Sequence, residues 1–137
     1  MNSALKKKKK KFNRGKQFGL KKQILNFKYC FDGVLYALTN EQSMISHFII
    51  AIVTIILGFV VKLSKIEWFF VILLIALVIA IEFINTSIEA VCDMVMPDIH
   101  PLAKIAKDTS SAAVLVVSLA ALIIGLIIYV PKFLALF

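Results

Sequence analysis

Three stretches of almost unbroken apolar residues run through the chain. Residues 48–61 are apolar except for Thr54 and Gly58, residues 68–81 are apolar throughout, and residues 110–130 form the third stretch. With their flanks they define spans of 44–63, 68–95 and 110–130. Each supplies the roughly 20 residues needed to cross a bilayer core. A segment surrounded by lipid must satisfy its own backbone polar groups, so all three are expected to be helices.

Ahead of them, residues 21–43 place Ile24, Leu25, Phe27, Phe31, Val34, Leu35 and Leu38 largely at helical spacing, with basic and polar residues around them. That pattern predicts a helix lying in the membrane interface. An amphipathic helix packed on the next span is the plainer alternative. Residues 1–20 have no periodicity and predict a disordered basic tail. Pro97 and Pro101 stop the second helix and make 96–108 a connection. The expected whole is an all-α membrane protein: a tail, then one membrane domain over 21–137 with a surface helix and three spans.

Composition agrees with the pattern. Of the 137 residues 61% are hydrophobic, and the mean hydropathy is +0.92. A soluble domain is nearer half apolar. Charge adds direction. Lys6 to Lys11, Arg14, Lys16, Lys21, Lys22 and Lys28 make up 11 of the 16 bases, and all eight acids follow residue 28. A basic arm can meet nucleic acid or anionic lipid. Joined to this apolar body it points to the cytoplasmic leaflet, with no nucleic acid. By the positive-inside rule the N-terminus stays in the cytoplasm. The 62–67 loop and the C-terminus are then outside, and the 96–108 loop inside. Lys132 is a weak counter-signal. No short apolar region with a small-residue cleavage site follows the lysines, so no signal peptide is expected. Cys30 and Cys92 lack metal or redox spacing and read as free thiols.

The second span also holds residues that lipid disfavours: Glu82, Asn85, Thr86, Glu89 and Asp93. A charge at a span centre costs about 2.5–3.5 kcal/mol on insertion scales. At about 100° per residue the five fall on one face, within about 100° of one another. Ile84, Ile88, Val91 and Val95 take the opposite face. Such a stripe suits an ion or proton pathway, a polar helix-association surface, or a catalytic site. Topology adds partners. Glu41, Lys107 and Asp108 reach the same membrane level as Glu89 and Asp93, and Glu82 lies deeper than Glu89 by about 10 Å. Mg²⁺ commonly takes one or two carboxylates together with phosphate oxygens, which Glu41 and Glu89 can supply. Lys107 can hold phosphates as a point charge. Glu82 is placed to accept a proton from a lipid hydroxyl.

The run Glu82-Phe-Ile-Asn85-Thr86-Ser-Ile-Glu89-Ala-Val-Cys-Asp93 resembles the ExxNTxIExxxD signature of the bacterial membrane diacylglycerol kinase and undecaprenol kinase family. His100-Pro-Leu-Ala-Lys104, Ala106-Lys107-Asp108 and Ser111-Ala-Ala-Val-Leu115 are similar to that family's HxLxxxAKD and AAVL segment. Phe27-Lys-Tyr29, Gly33 and Asn40-Glu41 match its interfacial helix. The likeness runs from about residue 22 to 130.

The resemblance implies an all-helical homotrimer with active sites shared between subunits. It implies Glu82 as catalytic base, Glu41 and Glu89 as metal ligands that also contact ATP, and Asn85 and Asp93 as supporting residues. Lys107, Asp108, Asp98, Ile99, His100, Tyr29 and Lys22 fall at its ATP-binding positions. For His100 the simpler alternative is to cap or brace its loop, and for Tyr29 it is to anchor the interface, as aromatics do. The chain departs from the Gram-positive branch after Glu41, reading Gln42-Ser-Met-Ile-Ser-His47 where Arg and Asn are frequent. His47 and the Gly125–Phe133 end still resemble that branch, whose members mostly phosphorylate undecaprenol. The implied reaction is ATP- and Mg²⁺-dependent phosphorylation of a membrane lipid alcohol, undecaprenol ahead of diacylglycerol. A non-enzymatic ion pathway or membrane assembly protein is the alternative class.

Overall fold

The computed structural model describes residues 19–96, 98 and 100–136. The expected tail at 1–20 falls almost wholly outside them, as does Ile99. The described residues form four helices: α1 (Leu20–Asn40), α2 (Gln42–Val60), α3 (Lys65–Val95) and α4 (Pro101–Leu134). α2, α3 and α4 are long and apolar enough to cross a membrane.

The chain divides after Gly33 into two units. The first contains the N-terminal part of α1, where Ile24, Leu25, Phe27 and Phe31 are exposed. The second begins within α1 at Val34. There Ala37 is buried, and Thr39 and Asn40 side chains donate to the Leu35 and Tyr36 carbonyls at 2.8 Å. Both carbonyls lie one turn back in the same helix, and the Glu41 N–H closes the last turn by donating to Ala37 O at 2.9 Å. Glu41, in extended conformation, breaks the helix and serves as N-cap residue of α2.

The turn from α2 to α3 is tight because its backbone bonds close on themselves. Lys62 takes a positive φ of 53°. The Lys62 N–H donates to Phe59 O (3.3 Å) and the Leu63 N–H to Gly58 O (3.1 Å). This is the paired pattern of a Schellman C-cap, here with lysine where glycine is usual. Gly58 is required by space. A Cβ there would lie 2.8 Å from the Trp68 ring, which stacks at a tilt on Phe59 with centroids 4.8 Å apart. α3 then starts with a capping box: the Ser64 N–H donates to Glu67 (2.6 Å), and the Glu67 N–H to Ser64 Oγ. Val61, Leu63 and Val71 form the buried cluster beneath this turn, with Trp68, Ile128 and Tyr129 against it.

α4 begins earlier than its apolar run suggests. The segment expected to connect the spans is helical from Pro101 onward. Proline at the first helical position loses a donor that has no partner there in any case, and the His100 ring caps the end by accepting from the Leu102 N–H at 3.2 Å. Pro101 therefore starts a helix. α4 packs antiparallel to α3 and is fastened at both ends. Lys132 pairs with Glu67 at 2.9 Å near one end, and Lys107 with Asp93 at 2.5 Å near the other. Lys132, the residue that ran against the expected topology, thus has a local counter-ion. Tyr129 Oη donates to Thr54 O at 2.8 Å and ties α4 to α2.

The three helices differ in length with consequence. At 1.5 Å per residue α2 is about 28 Å long, α3 about 46 Å and α4 about 51 Å. The hydrocarbon core is about 30 Å thick. α3 and α4 therefore extend beyond α2 at the Glu41 end, carrying Asp93 and Lys107 with them. Most large apolar side chains point outward: Ile50, Ile56, Phe69, Val116, Ile127 and many others are exposed. A bilayer solvates such a surface, and water does not. Cys30 and Cys92 are free thiols.

Candidate active site

α3 stays helical through its polar stripe, so the five residues keep the face that their spacing dictates. Burial grades along it. Glu82 is 1% exposed, Thr86 7% and Asn85 9%, while Glu89 is half-buried and Asp93 exposed. The opposite face, Ile84, Val91 and Val95, is open. The stripe thus descends from a dry carboxylate to a wet one over three turns.

Asn85 organises its centre. Its Nδ2 donates to Glu89 Oε1 at 3.0 Å, and its Oδ1 accepts from Ser110 Oγ at 2.6 Å and from Ser111 Oγ at 3.4 Å. The amide orientation follows from chemistry, because an ionised carboxylate only accepts and so must face the NH₂ group. One oxygen of Glu89 is held in this way, and the second carries no hydrogen bond among the described residues. Asp93 holds Lys107, and Lys104 pairs with Asp108 one turn along α4. An ammonium has three donors, so Lys107 keeps two beyond the one given to Asp93.

Glu41 joins the group from α2. Its carboxyl is held above the usual carboxylate range, first by burial and then by the nearby charges of Glu89 and Glu82, with Lys107 opposing. Burial and the crowding carboxylates both work against the charged form of Glu41. A cation between Glu41 and Glu89 would reverse that. Among the described residues no group of three or more His, Cys, Asp or Glu side chains is placed for a metal. The donor set is two carboxylates, which suits a hard cation that completes its shell with water and phosphate oxygens.

The remaining sequence-derived positions are placed as follows by the fold. Asp98 sits exposed on the bend before α4. His100 caps α4 through Nδ1. Lys22 and Tyr29 belong to the first unit. The sequence pattern missed the two serines. Ser110 is buried and Ser111 sits beside it; the signal was a pair of small hydroxyls opening an apolar span, a common helix-contact device. An apolar groove of about 510 Å³ adjoins the cluster between α2, α3 and α4. Its wall includes Val78 and Ile79, one turn before Glu82, and it extends past Leu122 to Tyr129.

The serine pair supports a prediction. Ser110→Ala should cost about 1 kcal/mol, because Ser111 can shift to satisfy Asn85 Oδ1. Ser111→Ala should cost about 0.5 kcal/mol or less. The double variant should cost clearly more than the sum, since a buried amide oxygen is then left unpaired. Detergent unfolding of all four proteins measures the coupling. Additivity within about 0.4 kcal/mol would mean that Ser111 is no substitute.

Comparison with known proteins matches residues 28–129 to the prokaryotic diacylglycerol kinase family. The undecaprenol kinase of Bacillus subtilis (strain 168) is 40% identical over 100 residues, 73% of this chain and 81% of that protein. The diacylglycerol kinase of Synechocystis sp. is 32% identical over 114 residues, 82% of this chain and 65% of that protein. The diacylglycerol kinase of Helicobacter pylori (strain ATCC 700392 / 26695) is 36% identical over 98 residues, 72% of this chain and 77% of that protein.

Proposed function

Because this chain belongs to the prokaryotic diacylglycerol kinase family and is a membrane lipid kinase, we propose that it transfers the γ-phosphate of ATP to undecaprenol, with Glu82 as base. The carrying observation is Glu82 itself: a carboxylate 1% exposed within an apolar helix, with no ion pair among the described residues. A fold keeps such a group, at the cost noted for charges in spans, where it has work to do. Family membership sets aside the non-enzymatic ion pathway and the assembly role.

The lipid alcohol enters from the bilayer with its hydrocarbon in the apolar groove and its hydroxyl beside Glu82. ATP arrives from the cytoplasmic side, at the overhanging ends of α3 and α4. Lys107, steadied by Asp93, holds phosphate oxygens with its remaining donors, and Asp108 sits one residue on. Asp98 and His100 would border the nucleotide; Lys22, Tyr29 and Ile99 are assigned to ATP binding by the family resemblance alone. Glu41 and Glu89 would hold Mg²⁺, with Asn85 fixing the orientation of Glu89. When bound, Mg²⁺ supplies charge neutralisation on the phosphates. Glu82 takes the hydroxyl proton, the lipid oxygen bonds to the γ-phosphorus, and ADP leaves. Most of the acceleration comes from positioning and electrostatics.

The protein would act in the bacterial plasma membrane, its N-terminus cytoplasmic and α1 in the interface, as a homotrimer that covers part of the polar stripe. The 40% identity to an undecaprenol kinase supports the polyprenyl alcohol, and the diacylglycerol kinases among the relatives supply the competing substrate. Undecaprenol and dioleoylglycerol, presented together in mixed micelles with purified protein, should give kcat/KM for undecaprenol at least about tenfold higher, about 1.4 kcal/mol of discrimination. A preference for dioleoylglycerol would overturn the substrate assignment and leave the kinase reading in place.

A further inference from the structure

Helical hydroxyls in this protein have a habitual partner. Thr39 Oγ1 donates to Leu35 O (2.8 Å), Ser46 Oγ to Gln42 O (3.2 Å), Ser87 Oγ to Phe83 O (2.8 Å), and Thr109 Oγ1 to Ile105 O. Each uses the carbonyl one turn back, the usual sink for a hydroxyl in a helix. Thr86 departs from this habit. It is 7% exposed, and its Oγ1 makes no hydrogen bond among the described residues.

The position sharpens the contrast. Thr86 lies one turn after Glu82 on the same face, at a Cβ separation of about 5–6 Å. Its other polar neighbours on the face are already engaged: the Asn85 NH₂ donates to Glu89, and its Oδ1 accepts a hydrogen bond from the Ser110 hydroxyl. A buried donor without an acceptor is unfavourable, and valine would fill the same volume without one. Ser118 also has an unpartnered buried Oγ, but it lies in the apolar groove, farther along α4 from the acidic residues.

We propose that Thr86 is a substrate-binding residue that holds the acceptor hydroxyl of the lipid alcohol. This rests on the reading of Glu82 as base. The Thr86 O–H donates to a lone pair of the lipid oxygen, which leaves the lipid O–H directed at the Glu82 carboxylate. In the transfer the lipid O–H bond breaks toward Glu82, the lipid oxygen–phosphorus bond forms, and the bond from the γ-phosphorus to ADP breaks. Thr86 keeps its proton throughout. The ligand chemistry is a primary alcohol on a long hydrocarbon, whether polyprenyl or glyceride.

The test compares Thr86→Val, Thr86→Ser and Glu82→Gln with the wild-type full chain in mixed micelles of undecaprenol, and separately of dioleoylglycerol. Thr86→Val should lower kcat/KM for the lipid by about tenfold or more, shift KM for ATP by less than about twofold, and leave the thermal midpoint unchanged or raised, since it removes an unpaired buried donor. Thr86→Ser should stay within about threefold of wild type, because it retains the hydroxyl. Wild-type kcat/KM for both lipids in Thr86→Val would overturn the proposal. So would a lowered midpoint together with parallel losses toward ATP and lipid, the mark of a structural role. If Thr86→Val does not fold, Thr86→Ala takes its place with the same expectations for the two KM values. An active Glu82→Gln protein would sink the underlying base assignment. An inactive one beside a fully active Thr86→Val would sink the Thr86 role alone.

Discussion

Glu82→Gln should lose phosphotransfer by roughly 100- to 10,000-fold in kcat, the range over which general-base catalysis contributes, with no loss of fold. The substitution is nearly isosteric, so the packing around a side chain only 1% exposed is preserved. It also removes an ionisable group from an apolar helix, so the thermal midpoint in detergent should hold or rise. ATP should still bind, because Glu82 lies deeper in α3 than Glu89 and Asp93. Kinetics in mixed micelles, with ATP affinity measured in parallel, checks both halves. Turnover near that of wild type would remove the base from the mechanism. Loss of ATP affinity by the same factor would move Glu82 from base to binding group.

Glu89→Gln tests the other end of the stripe. Glu89 accepts from Asn85 with one oxygen, and a glutamine carbonyl can accept the same bond, so stability should change by about 1 kcal/mol or less. The charge is lost, however. The remaining carboxylate, Glu41, would no longer be pushed upward by Glu89, and a cation would find one anionic donor in place of two. Activity at fixed Mg²⁺ should fall about 100- to 1,000-fold, as when a preorganised electrostatic contact is removed. Added Mg²⁺ should recover part of the loss. A Mg²⁺ titration with midpoints for both proteins is the check, and an unchanged midpoint would take Glu89 out of the metal site.

The two substitutions act on parts of the site that differ in how visible they were beforehand. The stripe was legible because a straight helix turns about 100° per residue, and α3 is uninterrupted from Lys65 to Val95. Any chain with Glu82, Asn85, Thr86, Glu89 and Asp93 on such a helix presents them together. Register between helices is another matter. That Asn85 meets Ser110, that Asp93 meets Lys107, and that Lys132 meets Glu67 depends on how α4 slides along α3, and neither helix's own period contains that offset. The start of α4 lies outside its apolar run for a local reason. Apolarity marks where a helix enters lipid, whereas Pro101 and the His100 cap mark where the helix starts, about two and a half turns earlier. The unpaired hydroxyl of Thr86 had no sequence signal at all, since a helical threonine ordinarily bonds its own backbone.

Transfer of γ-phosphate-labelled ATP into an organic-extractable lipid phosphate, by the purified full chain with Mg²⁺ and undecaprenol in mixed micelles, tests the central claim most directly. The account predicts label in a lipid phosphate monoester, dependent on added lipid alcohol and abolished by Glu82→Gln. Label that remains in ATP or appears only as inorganic phosphate, with undecaprenol and dioleoylglycerol alike, would contradict it.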